Sequence, residues 1–409
     1  MDRDTHSLKA TVSSYTKYAK DLGPYSVPEE EKVKGNVITE SSLSALSQSS
    51  KASPSSTNKC NIALGGLARS GKTSIHSVIF HKISPHETLF LESTGRIVKH
   101  VVSHSPFCQL ELWDLPPELL QSDSESSPSL EDIVSICSAL IFVLDTTTET
   151  PDETLQLLHQ TIVRCYNVNP QIHMEVFIHK TDVLSDEQKL SFQREIQEHV
   201  DGELRDIGLD RVVSQVSYRL TSIFDHSIYE AFSQVLEKLH PQTCLLERLL
   251  DTFVGYSGIE NAFLFDAVSK LVVATDSSPV HGNDFELCSD MIEVAIDISG
   301  IYSFGNPRNH TKEDSIQDSH PVGEESFILD HWNISSSCGY FFQDSSCWCT
   351  IRLGNGIVLH MKSVGHYLCL VLMARGEILD SNWGLVGYNI RVFSECLSKV
   401  IKSTRCCDA

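Results

Sequence analysis

The sequence predicts an α/β protein of two folded units, the first on a mostly parallel six-stranded sheet and the second a smaller α/β unit. Three observations carry this. A glycine-rich loop, Gly66-Leu67-Ala68-Arg69-Ser70-Gly71-Lys72-Thr73, stands between the apolar run 60–64 and a helix-spaced pattern through Ile75, Val78 and Ile79. Apolar runs then alternate with helical spacing as far as Leu220, the signature of strands laid parallel by crossover helices. Beyond residue 242 the order changes to helix, short strands, helix, strands, helix. A chain of 409 residues, 41% of them hydrophobic, can bury two cores.

Residues 1–58 begin polar and become serine-rich, with too little apolar surface to offset ordering entropy, so a disordered tail is expected. The start carries no apolar signal core, and no stretch has the apolar length of a membrane span. The formal net charge of −22 argues against a bare nucleic-acid binder, which needs a basic face. The 13 cysteines are odd in number and lie mostly in apolar runs, the usage of a reducing compartment.

The glycine-rich loop has the chemistry of a phosphate cradle. Gly66 and Gly71 let backbone N–H groups wrap phosphate oxygens, Lys72 reaches the β and γ phosphates, and the Thr73 hydroxyl holds Mg²⁺. Arg69, Ser70 and Ser74 complete the loop and the start of its helix, whose N-terminus favours an anion. Residues 96–102 and 108–113 alternate apolar and polar side chains and read as a hairpin at a sheet edge. The runs 139–145, 174–180 and 212–220 supply the remaining strands, and 154–163 and 186–200 recur at helical spacing. A parallel sheet places its ligand at the carboxyl ends of the strands.

Those ends carry His179-Lys180-Thr181-Asp182 and Thr221-Ser222-Ile223. The Asp182 carboxylate can accept from both the ring N–H and the exocyclic amine of guanine, a pair adenine does not present. The Lys180 stem can lie along the purine face, and backbone N–H groups at Ser222 and Ile223 can meet the guanine carbonyl oxygen. Between phosphate and base, a nucleotide switch needs a threonine and an aspartate facing Mg²⁺ and a glycine N–H at the γ-phosphate. Thr94 and Asp114 are the candidates for the first two. Pro117 stands where the glycine is needed and has no N–H to donate. Glu118 follows, where a glutamine would orient the attacking water, and its carboxylate repels a γ-phosphate. No catalytic residue is assigned beyond Glu118 at that position.

In the second unit, 245–254 and 284–298 read as helices, the latter with Leu287, Met291, Val294, Ala295 and Ile298 on one face. Strands are expected at 262–268, 271–275, 347–353, 357–362 and 367–374, with a last helix over 383–401. Residues 303–346 break the pattern and read as a surface insertion. Cys347-Trp348-Cys349 lacks a second ligand pair at zinc spacing and is read as alternate strand faces. Cys406 stands in a prenylation position, but Cys407 and Asp408 are poor aliphatic places and no polybasic run precedes them.

The stretches Gly65–Ser74, Phe80–Pro85, Glu87–Thr94, Glu175–Asp182, Leu220–Ile228 and Ala274–Pro279 resemble the Rag small GTPases, specifically the Rag C/D type and its fungal Gtr counterpart. The likeness covers residues 59–302 and 347–402. It implies a P-loop small-GTPase domain over 59–242 and a roadblock-type α/β domain over 243–402, with 403–409 as a tail. It implies GTP or GDP with Mg²⁺ held by Thr73, Thr94 and Asp114, and a heterodimer with a Rag A/B-type GTPase through the second domain. It further implies residence on the lysosome or vacuole through a scaffold complex, recruitment of the TOR kinase complex in response to amino acids, and a signalling form bound to GDP. Pro117 and Glu118 depart from the family pattern, so slow GTP hydrolysis is expected. The residues 121–128 depart too and are expected to stay mobile. A nucleotide-bound scaffold without hydrolysis is the alternative, and a P-loop kinase is disfavoured by Asp182 and its neighbours.

Overall fold

The computed structural model describes residues 59–102, 109–121, 129–148, 151–240, 242–279, 282–303, 347–365 and 367–405. The serine-rich leader, the 304–346 insertion, the polar 122–128 stretch and Cys406 lie outside them. The first unit is a six-stranded sheet in the order β2-β3-β1-β4-β5-β6. Its strands are β1 (Lys59–Gly65), β2 (Val98–Val102), β3 (Gln109–Asp114), β4 (Ala139–Asp145), β5 (His173–His179) and β6 (Val216–Thr221). Only the β2–β3 pair is antiparallel, so the expected hairpin does form the sheet edge. The expected strand over 212–220 is shorter: Asp210–Val213 is helical and β6 starts at Val216.

β1 and β4 are near-continuous apolar runs because helices cover both faces of a parallel sheet. On one face, Ala63, Leu140, Phe142, Leu144 and Val176 pack against α3 (Leu130–Ile136), α4 (Pro151–Val168) and α5 (Asp186–Asp206). On the other, Ile62, Leu64, Leu112, Ile141, Val143 and Phe177 meet α1 (Lys72–His81) and α7 (Ser227–Leu239) through Ile75, Ile79, Ile228 and Phe232. The short helices α2 (Pro117–Gln121) and α6 (Asp210–Val213) complete this unit. Two helix starts follow from local chemistry. Ser129 and Asp132 form a capping box at α3, and Ser185 and Gln188 form one at α5, each satisfying N–H groups that a helix leaves orphaned. Glu175, fully buried in β5, is a charge paired within the core, with Lys238 at 2.6 Å and Arg219 at 3.2 Å.

The second unit is a five-stranded antiparallel sheet in the order β8-β7-β11-β10-β9. It uses β7 (Asn261–Asp266), β8 (Val272–Thr275), β9 (Trp348–Arg352), β10 (Ile357–Gly365) and β11 (Leu368–Arg375). Helices α8 (Thr243–Ser257) and α10 (Gly376–Arg405) pack on one face and α9 (Gly282–Ser303) on the other. Two expectations need correcting. The buried stripe of α9 runs through Phe285, Cys288, Met291, Ile292 and Ala295, whereas Val294 is exposed, because the helix buries a face turned from the one read off the spacing. The last helix begins earlier and ends later than 383–401, with one non-helical residue at Asn382, and carries helical backbone through Arg405. The two units meet where Val272 N–H donates to Ser233 Oγ and Leu271 enters the core behind α7.

Candidate nucleotide site

The sequence-predicted site residues lie on the loop and helix start that follow β1, at the ends of β3, β5 and β6 and just after them, and, for Thr94, in the stretch that leads into β2. β1 ends at Gly65 and turns through Gly66 and Gly71, with φ of 138° and 105°. Both values are in the region that a side chain avoids and glycine tolerates. Leu120 closes on the loop from behind: a Cβ on Gly65 would stand 3.3 Å from its Cδ1. Arg69 takes a positive φ as well and is exposed at the tip. Ser70 is buried, its hydroxyl without a hydrogen-bond partner among the described residues. Lys72 is buried and curls over the loop, donating to the carbonyls of Gly66 at 3.0 Å and Leu67 at 2.8 Å. Burial lowers its pKa, against the opposing pull of the Asp114 and Glu118 carboxylates. Ser74 sits half-buried in the first turn of α1.

Three oxygens converge beside this loop. The Thr73 hydroxyl donates to Asp114 Oδ2 at 2.5 Å and lies 2.9 Å from the Thr94 hydroxyl, which itself donates to Asp114 Oδ2 at 2.9 Å. Thr94 comes from the stretch after the 3-10 turn Glu87–Phe90, 20 residues before Asp114 in the chain. The other carboxylate oxygen of Asp114 is buried with no hydrogen-bond partner among the described residues. Two hydroxyls and a carboxylate with an unmet oxygen fit a hard divalent cation such as Mg²⁺, which takes oxygen ligands.

The residues expected to read the base stand on the next two loops. Lys180 adopts a left-handed conformation, φ 61°, and its ammonium bridges back to the phosphate loop, donating to Arg69 O at 3.0 Å and pairing with Asp145 at 2.5 Å. That lays the lysine stem across the space between the loops. Asp145, at the end of β4, was not singled out from sequence, although an acidic residue closing an apolar strand is the available signal. Its other oxygen is occupied by Thr147 N–H at 2.8 Å. Asp182 is exposed and accepts from Ser222 Oγ at 2.8 Å through one oxygen. Ser222 Oγ also accepts from Phe224 N–H, turning the loop that carries Ile223. His179 is buried, 3.0 Å from the Thr221 hydroxyl. Desolvation, then the Lys180 charge, holds its pKa down at about 4, so it is a neutral strut.

The side of the loop expected to face a γ-phosphate carries α2. Pro117 is buried in its first turn, where proline's fixed φ and missing N–H are tolerated. Leu119 and Leu120 are buried behind it, and Leu115 N–H donates to Leu64 O at 3.0 Å. Arg164 of α4 donates to Leu120 O at 3.2 Å and pairs with Glu131 at 2.8 Å. Glu118 is exposed, its charge felt by Lys72.

The family model described as "Gtr1/RagA G protein conserved region" matches residues 61–292. The chain is 42% identical over 345 residues to "Ras-related GTP-binding protein C" of Homo sapiens, covering 84% of this chain and 77% of that one. It is 43% identical over 344 residues to "Ras-related GTP-binding protein D" of Mus musculus, covering 84% and 69%. It is 42% identical over 342 residues to "GTP-binding protein gtr2" of Schizosaccharomyces pombe, covering 84% and 96%.

Proposed function

The chain belongs to the Gtr1/RagA family of G proteins, and on that premise we propose that it is a Rag C/D-type, Mg²⁺-dependent guanine-nucleotide switch biased towards its GDP form. The observation that carries the reading is the convergence of Thr73, Thr94 and Asp114 within 2.5 to 2.9 Å of one another beside a buried Lys72. Those three oxygens hold Mg²⁺, Gly66 to Ser74 wrap the phosphates, and Asp182 with Ser222 and Ile223 reads guanine. Mg²⁺ supplies charge neutralisation between the phosphates when bound. The residues around it set how far a γ-phosphate is felt. Pro117 removes the N–H that would meet it, and the Glu118 carboxylate adds like charge on the same side. GTP is therefore held weakly relative to GDP and hydrolysed slowly.

Nucleotide state alters the loops around Thr94 and Asp114 and with them the surface shown to partners. The partner is a Rag A/B-type GTPase engaged through the second sheet, and the heterodimer reports amino-acid sufficiency to the TOR kinase complex. It does so from the lysosomal or vacuolar surface through a scaffold complex. Among the described residues no helix is long and apolar enough to cross a membrane, which suits attachment through partners. A second reading, a structural subunit that binds nucleotide without turnover, is favoured by the same two residues.

The test compares GDP and GTP affinities of the purified heterodimer for the native protein and Pro117→Gly. Strong native GDP preference with GTP affinity recovered in the variant supports the bias. Equal binding of both nucleotides, unchanged by the substitution, rejects it. Single-turnover hydrolysis on the same samples separates the slow switch from the inert scaffold.

A further inference from the structure

Among the described residues, one cluster of ligating side chains lies outside the candidate nucleotide site. His76 and His81 project from α1 and His100 from β2, and one ring nitrogen from each lies within 4.8 Å of the others. His76 is 2% exposed, while His81 and His100 are half-buried, leaving a way in from solvent. The Nε2 atoms of His76 and His81 are both buried without a hydrogen-bond partner among the described residues. Two orphaned ring nitrogens beside one another are costly in a packed core unless something accepts them. The rings are already gathered, His76 to His100 at 3.7 Å between centroids and His76 to His81 at 4.6 Å.

We propose that His76, His81 and His100 form a binding site for a borderline divalent transition metal, of which Zn²⁺ is the type, with a fourth position left to water. Neutral imidazole is the ligand form that such ions take. All three rings are held in it: burial, then the neighbouring His100 and His81, lowers His76 to about 2, and burial lowers the other two. No proton then competes for the nitrogens at neutral pH. Metal–nitrogen bonds of about 2.0–2.1 Å require the three nitrogens to draw in from their present spacing by roughly an ångström, a rotation of soft ring torsions. A hard ion is excluded by the ligand type, so the site does not compete with Mg²⁺ at Asp114.

The consequence is mechanical. β2 is an edge strand, bonded only to β3, with His100 opposite Leu112. A metal bridging His100 to His76 and His81 fastens that edge to α1 across the face of the sheet. His76 lies one helical turn beyond Thr73, and β2 leaves the stretch that carries Thr94, so the fastening limits how far that stretch can swing away. The metal site itself stands whether or not the nucleotide reading holds.

The experiment titrates Co²⁺, then Zn²⁺ in competition, into the full chain with its partner after chelator treatment, reading visible d–d absorption and thermal midpoint. The expected result is one equivalent bound with nitrogen-type absorption, displaced by Zn²⁺, raising the midpoint and protecting amides of 98–102 from exchange. His76→Gln and His100→Asn each weaken it at least tenfold. His81→Gln, at the half-buried end of α1, serves should the His76 substitution unfold the protein. Absence of binding at micromolar metal, thiolate charge-transfer bands, or an unchanged isotherm in the histidine variants overturns the site.

Discussion

Gly71 and His179 share one space: a Cβ on Gly71 would fall 2.6 Å from Cδ2 of the His179 ring. The residue before Lys72 in the glycine-rich loop is thus in contact with the residue that opens the 179–182 run. The two halves of the site are one packed unit, and the second contact between them is the Lys180 ammonium on Arg69 O.

Gly71→Ala should therefore disturb both halves. It places a side chain at φ 105°, a strained conformation for an L-residue, and against a buried ring that cannot move aside. Positive-φ strain costs about 1–2 kcal/mol and the overlap about 1–3 more. Nucleotide affinity should fall at least tenfold with a lower thermal midpoint. Retention of full GDP affinity by equilibrium titration would show that the loops are not coupled this way.

Asp182→Asn tests base selection. The substitution replaces an acceptor with a donor facing the exocyclic amine of guanine, and the Ser222 hydroxyl, which donates to Asp182 Oδ1 at 2.8 Å, then has a weaker, uncharged oxygen to donate to. GDP binding should weaken by at least about a hundredfold, the scale of unpaired buried polar groups, while a xanthine diphosphate, with a carbonyl at that position, gains. Equal loss for both nucleotides means that the residue holds the loop and does not read the base.

His360 reports on pH. Buried in β10 and 2.8 Å from the Thr350 hydroxyl, its pKa is lowered by desolvation, then by Lys362, to about 4. The unfolded chain binds a proton that the folded chain refuses, so stability is full above the ordinary histidine pKa and falls as pH drops towards 4. Between pH 8 and pH 5 the loss for one such group is about 2 kcal/mol. His360→Gln should flatten the urea-denaturation stability profile over that range. A slope identical to the native one assigns the effect to other groups.

Arg164 joins three elements through Leu120 O and Glu131. Burial is the largest single influence on the Glu131 carboxyl and raises its pKa, but the Arg164 hydrogen bond, a backbone hydrogen bond and the Arg164 charge together hold it low. The half-exposed ion pair alone contributes little. The hydrogen bond to the last turn of α2 is the larger part, since a charged donor is worth about 1.5–3 kcal/mol. Arg164→Met should speed amide exchange through residues 117–121 and raise GTP affinity by freeing the segment that holds Pro117. Unchanged exchange there would mean that Leu119 and Leu120 alone keep α2 seated.

Much of the site was legible because phosphate and guanine chemistry demand particular residues in short runs. Gly66 to Thr73 and His179 to Asp182 are contiguous, and strand-loop-helix order supplied their context. Pro117 and Glu118 were marked out for the same reason, as expected departures from a short pattern. Asp145 was not, because its role depends on where Lys180 turns, and a left-handed backbone at a lysine leaves no mark in spacing. The buried face of α9 was misread because periodicity locates a stripe only to within a neighbouring column, and Val294 sits just outside the one that packs.

The sequence by itself determined the fold class and the family, and it marked the glycine-rich loop, the 179–182 run and the Pro117-Glu118 pair as the candidate site, since each is a local pattern complete within a few residues. Tertiary structure brings together Thr73, Thr94 and Asp114, which the sequence had grouped, and alone decided that Gly71 rests on His179 and that His76, His81 and His100 gather on one face. Those contacts join residues far apart along the chain. Sheet order and helix packing set them, and no local pattern encodes either.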